Sequence, residues 1–230
     1  TAFERSRKML EGAARDPAIR LAVFAALAYV VLGPLLRAGN GMNPFHDAQF
    51  LSAYERHARM TVLGYGELPL WDPYTCGGMY GLAAPQIRYA SPFFLVSLVF
   101  GVDRAVPIIL YLCAIIGTEG TFRYARDRGA RLVPAMVFAP LAGLSGFYPF
   151  AWHFGWIQFV SFQFLPFMML GLRLAMRGEF RGARMLAIAT TLALGLGGTW
   201  TLPMAMIPMT VELMSALVPS IRRLRARPDA

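Results

Sequence analysis

The sequence has little charge and almost no lysine. Only 15% of its residues are Asp, Glu, Lys or Arg, 57% are hydrophobic, and Lys8 is the single lysine. A soluble domain carries about 25% charged residues, so this composition argues against an ordinary globular protein. The net charge of +9 does not indicate a nucleic-acid partner, because the arginines fall in short clusters between apolar runs, as in membrane proteins.

Cysteine is scarce as well. Cys76 and Cys113 are the two cysteines of the chain, which is too few for a zinc knuckle, and they are too far apart for a CxxC redox pair. Cys113 falls inside an apolar segment, so no disulfide between the two is expected.

Long apolar runs are what the chain does contain. Residues 132–172 include no Asp, Glu, Lys or Arg, and residues 185–221 include Glu212 alone. Each run is about twice the roughly 20 residues of one bilayer crossing, so each is predicted to be a helical hairpin. The predicted fold class is therefore all-α, a polytopic integral membrane protein.

The arginine clusters predict the order and orientation of the crossings, because arginine is enriched on the cytoplasmic side. About six crossings result, with both termini cytoplasmic, and the expected location is a bacterial inner membrane. The predicted crossings are 21–39, 104–124, 132–149, 156–172, 185–196 and 201–217.

The chain is predicted to be one transmembrane domain, 21–230, preceded by a cytoplasmic amphipathic segment, 1–20. Within this domain, 40–103 is predicted to be extracytoplasmic. Its last part, 91–101, is apolar but too short to cross, which indicates a re-entrant or interfacial helix.

The predicted extracytoplasmic loop begins with a short helix, 47–60, followed by a turn-rich stretch with many Trp, Tyr, Pro and Gly residues. This composition is typical of a folded cap with aromatic faces for a sugar ring. An interfacial aromatic belt explains it equally well.

Asp47 stands directly after the first crossing, at the predicted helix start. A carboxylate near a low-dielectric boundary gains proton affinity and can act as a general base. It can also be a helix N-cap, and the residues alone favour the cap.

Several motifs together resemble a known family. The first crossing is followed by HDAQF, then GELPLWDPYTCGGMYG, then Tyr-Ala-Ser-Pro before a short apolar helix, and later by LSGFYPFAWHFGWIQFVSFQFLPFMMLGLRLAMRG. This arrangement resembles the amino-terminal half of GT-C glycosyltransferases, with the YfhO-type membrane proteins as the nearest branch.

The resemblance implies transfer of a sugar from a polyprenyl-phosphate-linked donor to an acceptor at the outer membrane face. It implies Asp47 as the catalytic base, with the adjacent His46 near the substrate. Arg88 is the expected cation for the donor phosphate, followed by Arg56 and Arg59. Ordinary headgroup contacts are the alternative for all three arginines.

Four more residues are candidate substrate contacts. Asp72 with Trp71 and Tyr74 could bind sugar hydroxyls, although an Asp-Pro turn explains Asp72 as well. His153 in the later hairpin could contact phosphate or acceptor, or be an interfacial histidine. HDAQF offers one carboxylate rather than a pair, so neither a metal nor another cofactor is predicted.

Two acidic residues fall within or beside predicted crossings. An unpaired charge there costs at least about 2.5 kcal/mol. Glu119 and Glu212 are therefore expected to be neutral, paired with arginine or facing a polar cavity.

A second class of function stays open. The chain could be a catalytically inactive GT-C-like subunit of a larger membrane complex, with partner subunits packed on apolar faces. Small residues suit such packing, namely Gly143, Gly146, Gly195 and Gly197. A transporter is a weaker third hypothesis.

Overall fold

The computed structural model describes residues 12, 15–38, 46–81 and 86–225, with side chains in all of these except 46 and 218–225. The described part of the chain is mostly helical, at 77% helix with little strand. This confirms the predicted helical class. Most of the predicted amphipathic segment 1–20 lies outside the described residues.

Most of the described residues lie in helices that follow one another along the chain. A π-helical turn, Thr61–Tyr65, continues the helix His46–Met60, and a 3₁₀ helix, Ile157–Phe164, leads into the helix Leu165–Met176. The α-helices are α1 Pro17–Ala38, α2 His46–Met60, α3 Phe94–Phe100, α4 Val102–Asp127, α5 Leu132–Gly143, α6 Phe147–His153, α7 Leu165–Met176, α8 Phe180–Gly195 and α9 Thr201–Arg225.

One small sheet interrupts the helices between α2 and α3. Strands β1, Trp71–Asp72, and β2, Met79–Tyr80, pair antiparallel with Trp71 opposite Tyr80. The cross-strand rings of Trp71 and Tyr80 pack edge to face, with centroids 5.4 Å apart.

Four segments are long and apolar enough to cross a membrane: Pro17–Ala38, Val102–Asp127, Leu132–His153 and Ile157–Met176. The other two predicted crossings are shorter. Helix α8 has 16 residues, or roughly 24 Å, against a hydrocarbon core of about 30 Å. In α9, the apolar stretch Thr201–Leu217 covers the part of the helix whose side chains the structure describes. The total of six crossings stays a prediction.

Helix α4 is the centre of the bundle. In the most apolar stretch of α4, 72% of the residues are buried, compared with 17% in the corresponding stretch of Leu132–His153. Glycine allows a close approach to α4, because a Cβ on Gly120 would lie 2.7 Å from the Phe167 ring of α7. Helices α7 and α8 also meet closely, since a Cβ on Gly171 would lie 2.6 Å from the Leu186 amide nitrogen.

The two ends of α4 define the two ends of the molecule. Near its start, Asp103 pairs with Arg56 of α2 at 2.6 Å, and we call this side the loop end. At its last residue, Asp127 pairs with Arg173 of α7 at 2.7 Å and with Arg177, and we call this side the arginine-rich end.

Glu119 lies on α4 near the arginine-rich end and is paired. Its carboxylate accepts hydrogen bonds from Arg20 of α1 and from Arg123, each with a shortest distance of 2.7 Å. The Arg20 guanidinium also lies over the Phe122 ring, 4.4 Å from its centroid. The expectation that arginine neutralises Glu119 is confirmed.

Glu212 on α9 is paired in the same way. Arg173 contacts its carboxylate, Arg128 lies 3.3 Å away, and the Tyr124 hydroxyl donates a hydrogen bond at 2.7 Å. Three helices that contribute predicted cytoplasmic arginines therefore meet at one end. The side of the membrane on which this end lies stays a prediction.

Candidate functional site

The loop end contains an aromatic cleft of about 670 Å³. It forms where the chain turns back after α2: Gly66, with φ +68°, ends the π-helical turn. Gly78, with φ +115°, leaves room for the Trp71 ring, which a Cβ at that position would overlap. The cleft is lined by Thr61, Tyr65, Glu67, Leu68, Leu70, Trp71, Pro73 and Tyr74.

The rings of Trp71 and Tyr74 are half exposed, at 49% and 48%. The Tyr65 and Tyr74 hydroxyls are 3.4 Å apart, and Tyr74 packs on the His57 ring with centroids 4.9 Å apart. The structure thus brings together two of the predicted sugar contacts. Exposed aromatic faces beside polar groups can pack on the C–H face of a sugar ring.

Asp72 is 6% exposed and holds the turn together. Its carboxylate accepts hydrogen bonds from the Tyr74 amide at 2.9 Å and the Thr75 hydroxyl at 2.6 Å, and lies 3.1 Å from Nδ1 of His57. Burial alone would raise the pKa of Asp72, but the bonds from Thr75, His57 and Tyr74 outweigh burial and lower it. The Asp-Pro turn interpretation is therefore confirmed.

Glu67 is the cleft residue that sequence reasoning missed. It is exposed and lines the cleft beside Trp71, so it supplies the carboxylate that Asp72 does not present. The signal was available, because Glu67 stands in the GELPLW part of the motif.

Asp47 occupies a different place. It lies in the first turn of α2, inside the helix, and Oδ2 accepts a hydrogen bond from the Trp156 indole at 3.1 Å. The hairpin that carries Trp156 packs closely on α2: Gly155 has φ +81°, and a Cβ there would lie 2.7 Å from the Ala48 amide nitrogen. A negative charge in a first helical turn is also stabilised by the helix dipole.

The cleft and Asp47 lie at opposite ends of α2. Thr61 of the cleft directly follows this 15-residue helix, and a rise of about 1.5 Å per residue separates it from Asp47 by roughly 20 Å. The structure therefore does not bring the predicted base together with the predicted sugar contacts.

The three candidate cations all have protein partners. Arg88 pairs with Glu55 and is 3% exposed, so its guanidinium does not stand free at the surface. Its Nη1 is buried without a partner in the part of the chain that the structure describes. Arg56 pairs with Asp103, and Arg59 donates to the Ser97 carbonyl at 2.9 Å.

These contacts give the three arginines structural roles. Arg59 also reaches the Leu98 carbonyl at 3.3 Å, so it satisfies carbonyls in the last turns of α3. Arg56 and Arg59 together tie α2 to the short apolar helix and to the start of α4. Their predicted role toward a donor phosphate stays a prediction.

The two histidine predictions have different outcomes. His153 is exposed at the end of α6, and its ring stands edge to face with Phe154 at 5.5 Å. It belongs to the same hairpin as Trp156, on the Asp47 side of the loop end. The His46 side chain lies outside the described residues.

Within 15–38, 46–81 and 86–225, no three His, Cys, Asp or Glu side chains gather as a metal site. The cleft offers aromatic faces and one carboxylate. Comparison with family models, curated proteins and solved structures found no match to this chain.

Proposed function

We propose that this membrane protein binds a glycosyl group in the aromatic cleft and serves in sugar transfer from a polyprenyl-phosphate-linked donor at the outer membrane face. The cleft carries the proposal, since Trp71, Tyr74 and Glu67 combine ring faces with a hydrogen-bonding carboxylate. The resemblance to GT-C glycosyltransferases supplies the donor class.

The geometry favours a non-catalytic form of this role, as a GT-C-like accessory subunit. An inverting transferase needs its base and a phosphate-binding cation close to the reacting sugar. Here Asp47 is roughly 20 Å from the cleft along α2, and Arg88 is occupied by Glu55.

A face for partner subunits supports the accessory form. Met204, Ile207 and Val211 share one face of α9 and are 52%, 66% and 66% exposed. Such a surface fits lipid or an apolar helix of a partner. Stoichiometric partner chains in a gentle detergent extract would agree with the accessory form, whereas a lone monomer would oppose it.

Catalysis by this chain is the second candidate, and one observation favours it. The Asp47 carboxylate is exposed and accepts a single described hydrogen bond, from Trp156. Its second oxygen is therefore available to an acceptor hydroxyl.

Sugar binding is tested with the full chain in lipid nanodiscs, because maltoside detergents would themselves compete. Methyl glycosides of glucose, galactose, mannose and N-acetylglucosamine are the probes, read by calorimetry. We expect at least one to bind, and Trp71→Ala to weaken binding by about fivefold or more, since stacking on an aromatic ring contributes roughly 1 kcal/mol or more.

Trp200→Ala is the matched control, because Trp200 is 55% exposed and does not line the cleft. It should leave binding unchanged. Equal losses in both variants, or no binding of any of the four probes, would refute the sugar-binding cleft.

A further inference from the structure

A second cavity lies at the arginine-rich end, at the opposite end of the bundle from the aromatic cleft. It measures about 510 Å³ and opens between α4, the 3₁₀ segment with α7, and α8. Its lining divides into two parts. Arg123, Arg181 and Arg184 form one part, and the other is apolar, with Phe164, Phe167 and Ile188 among its residues.

The two parts lie in sequence along the helices. Ile116 precedes Arg123 on α4 by about two turns, and Leu192 follows Arg184 on α8 by about two turns. The apolar trough therefore continues for roughly 10 Å beyond the arginines, toward the middle of the bundle. A cationic rim leading into an apolar trough matches an anionic amphiphile.

The described residues supply too few carboxylates to neutralise this rim. Glu119 is shared between Arg20 and Arg123, and Glu179 pairs with Arg181 at 2.5 Å. Arg184 is exposed and has no ion pair among the side chains that the structure describes. The rim keeps an excess of positive charge, and Arg123 and Arg181 are still 48% and 69% exposed.

We infer that this cavity, hereafter the groove, binds an anionic phospholipid of the surrounding leaflet. The phosphate lies on the arginines of the rim, and one acyl chain lies in the apolar trough. The charge excess selects an anionic headgroup. The trough selects a lipid over a free anion, because Ile188 at its edge is 53% exposed and offers apolar surface to an acyl chain. The site is independent of the proposed sugar binding.

The test uses native mass spectrometry of the full chain, released from nanodiscs containing equal amounts of phosphatidylglycerol and phosphatidylcholine. We expect phosphatidylglycerol to be retained preferentially. Arg184→Gln should lower that preference by roughly fivefold, the contribution of one arginine near a lipid surface. Ile188→Trp should fill the trough and lower retention while all three arginines remain.

Arg131→Gln is the control, since Arg131 is exposed at the same end and does not line the groove. It should retain the wild-type preference. Equal retention of the two lipids, an equal loss in Arg131→Gln and Arg184→Gln, or an unchanged Ile188→Trp variant would each overturn the inference. Displacement of the lipid by inorganic phosphate would also overturn the inference, since it would show that the arginines bind an anion without any contribution from the apolar trough.

Discussion

Glu55 and Arg88 form an ion pair in which each side chain is only 2% exposed. Ser97 donates a further hydrogen bond to the Glu55 carboxylate. The pair joins α2 to the segment before α3 across 33 positions of sequence. It fixes the predicted interfacial helix against the helix that precedes the cleft.

Breaking this pair from one side should destabilise the protein strongly. Glu55→Met or Arg88→Met leaves one buried charge without compensation, which costs about 3–5 kcal/mol. The Glu55→Met/Arg88→Met double variant should recover much of that loss. Denaturant unfolding in nanodiscs measures all three.

The exposed pair Arg56–Asp103 provides the control. Its side chains are 50% and 54% exposed, and exposed pairs contribute at most about 1 kcal/mol, so Arg56→Met should be mild. Additive losses in the Glu55/Arg88 double variant would show that the two residues do not stabilise one another.

Asp47→Asn separates the two forms of the proposed function. If this chain catalyses transfer with Asp47 as base, the rate should fall by at least about 100-fold, with insertion unchanged. If the chain is an accessory subunit, transfer by the assembled complex should not change. The measurement is sugar release from a polyprenyl-phosphate donor in membranes.

Asp103→Asn is the matched control for that assay. It removes another exposed carboxylate at the loop end; the Asp103 side chain is 54% exposed and pairs with Arg56. A loss of transfer as large as that of Asp47→Asn would mean that the effect is electrostatic and general, which would remove the assignment of a base.

Acid should loosen the turn around Asp72. Its pKa is lowered in the folded protein from the ordinary 3.8. The ionised carboxylate therefore stabilises the turn fully above that pH, and this stabilisation is lost as the pH falls through the lower pKa of the folded state. The observable is protection of the Tyr74 amide from hydrogen exchange, compared with Asp72→Asn at each pH so that intrinsic exchange rates cancel.

We expect protection in the wild type to exceed that in Asp72→Asn at about pH 6 and to approach it at about pH 2. A difference that stays constant over this interval would show that the ionised carboxylate contributes nothing to the turn.

Cys76 reports the orientation of the loop end. It is exposed, whereas Cys113 is buried in α4, so a membrane-impermeant maleimide should modify Cys76 alone. Labelling in intact cells and none in inside-out vesicles would agree with the predicted extracytoplasmic loop. The reverse result would contradict that orientation and remove the proposed site from the outer face.

Arg131→Cys in a Cys76→Ser background is the complementary probe. Arg131 is exposed at the arginine-rich end, so this variant should label in inside-out vesicles. Labelling of both probes from one side would refute a bundle that spans the membrane.

The succession of helices along the chain could largely be predicted from sequence, because it depends on local composition. The loop helix predicted at 47–60 is His46–Met60, and the short apolar helix is Phe94–Phe100. The sequence also indicates that Glu119 and Glu212 are neutral, paired with arginine or facing a polar cavity, since an unpaired charge among apolar helices is too costly. The structure shows that both are paired with arginine.

The candidate site could be predicted only in part, because its contacts are long range. The residue type at Arg88 indicates a cation, but nothing local shows that Glu55 neutralises it. The separation of Asp47 from Trp71 follows from the 15-residue helix α2 between them, which places consecutive motifs at its opposite ends.

The glycine predictions show the same limit. A Cβ on Gly143 would meet Thr118, in agreement with close packing, whereas one on Gly146 would meet nothing within 4 Å. Gly171, at the contact between α7 and α8, was not predicted. Composition identifies small residues, but the neighbour across the interface decides which of them are needed.

The contact between Asp47 and Trp156 joins positions 109 residues apart, which has a consequence for biogenesis. During translation, α2 leaves the ribosome long before the hairpin that supports its first turn. The loop end cannot reach its final packing until residues 155 and 156 have been inserted. The HDAQF motif therefore lacks this contact until the later hairpin of the same chain has been synthesised.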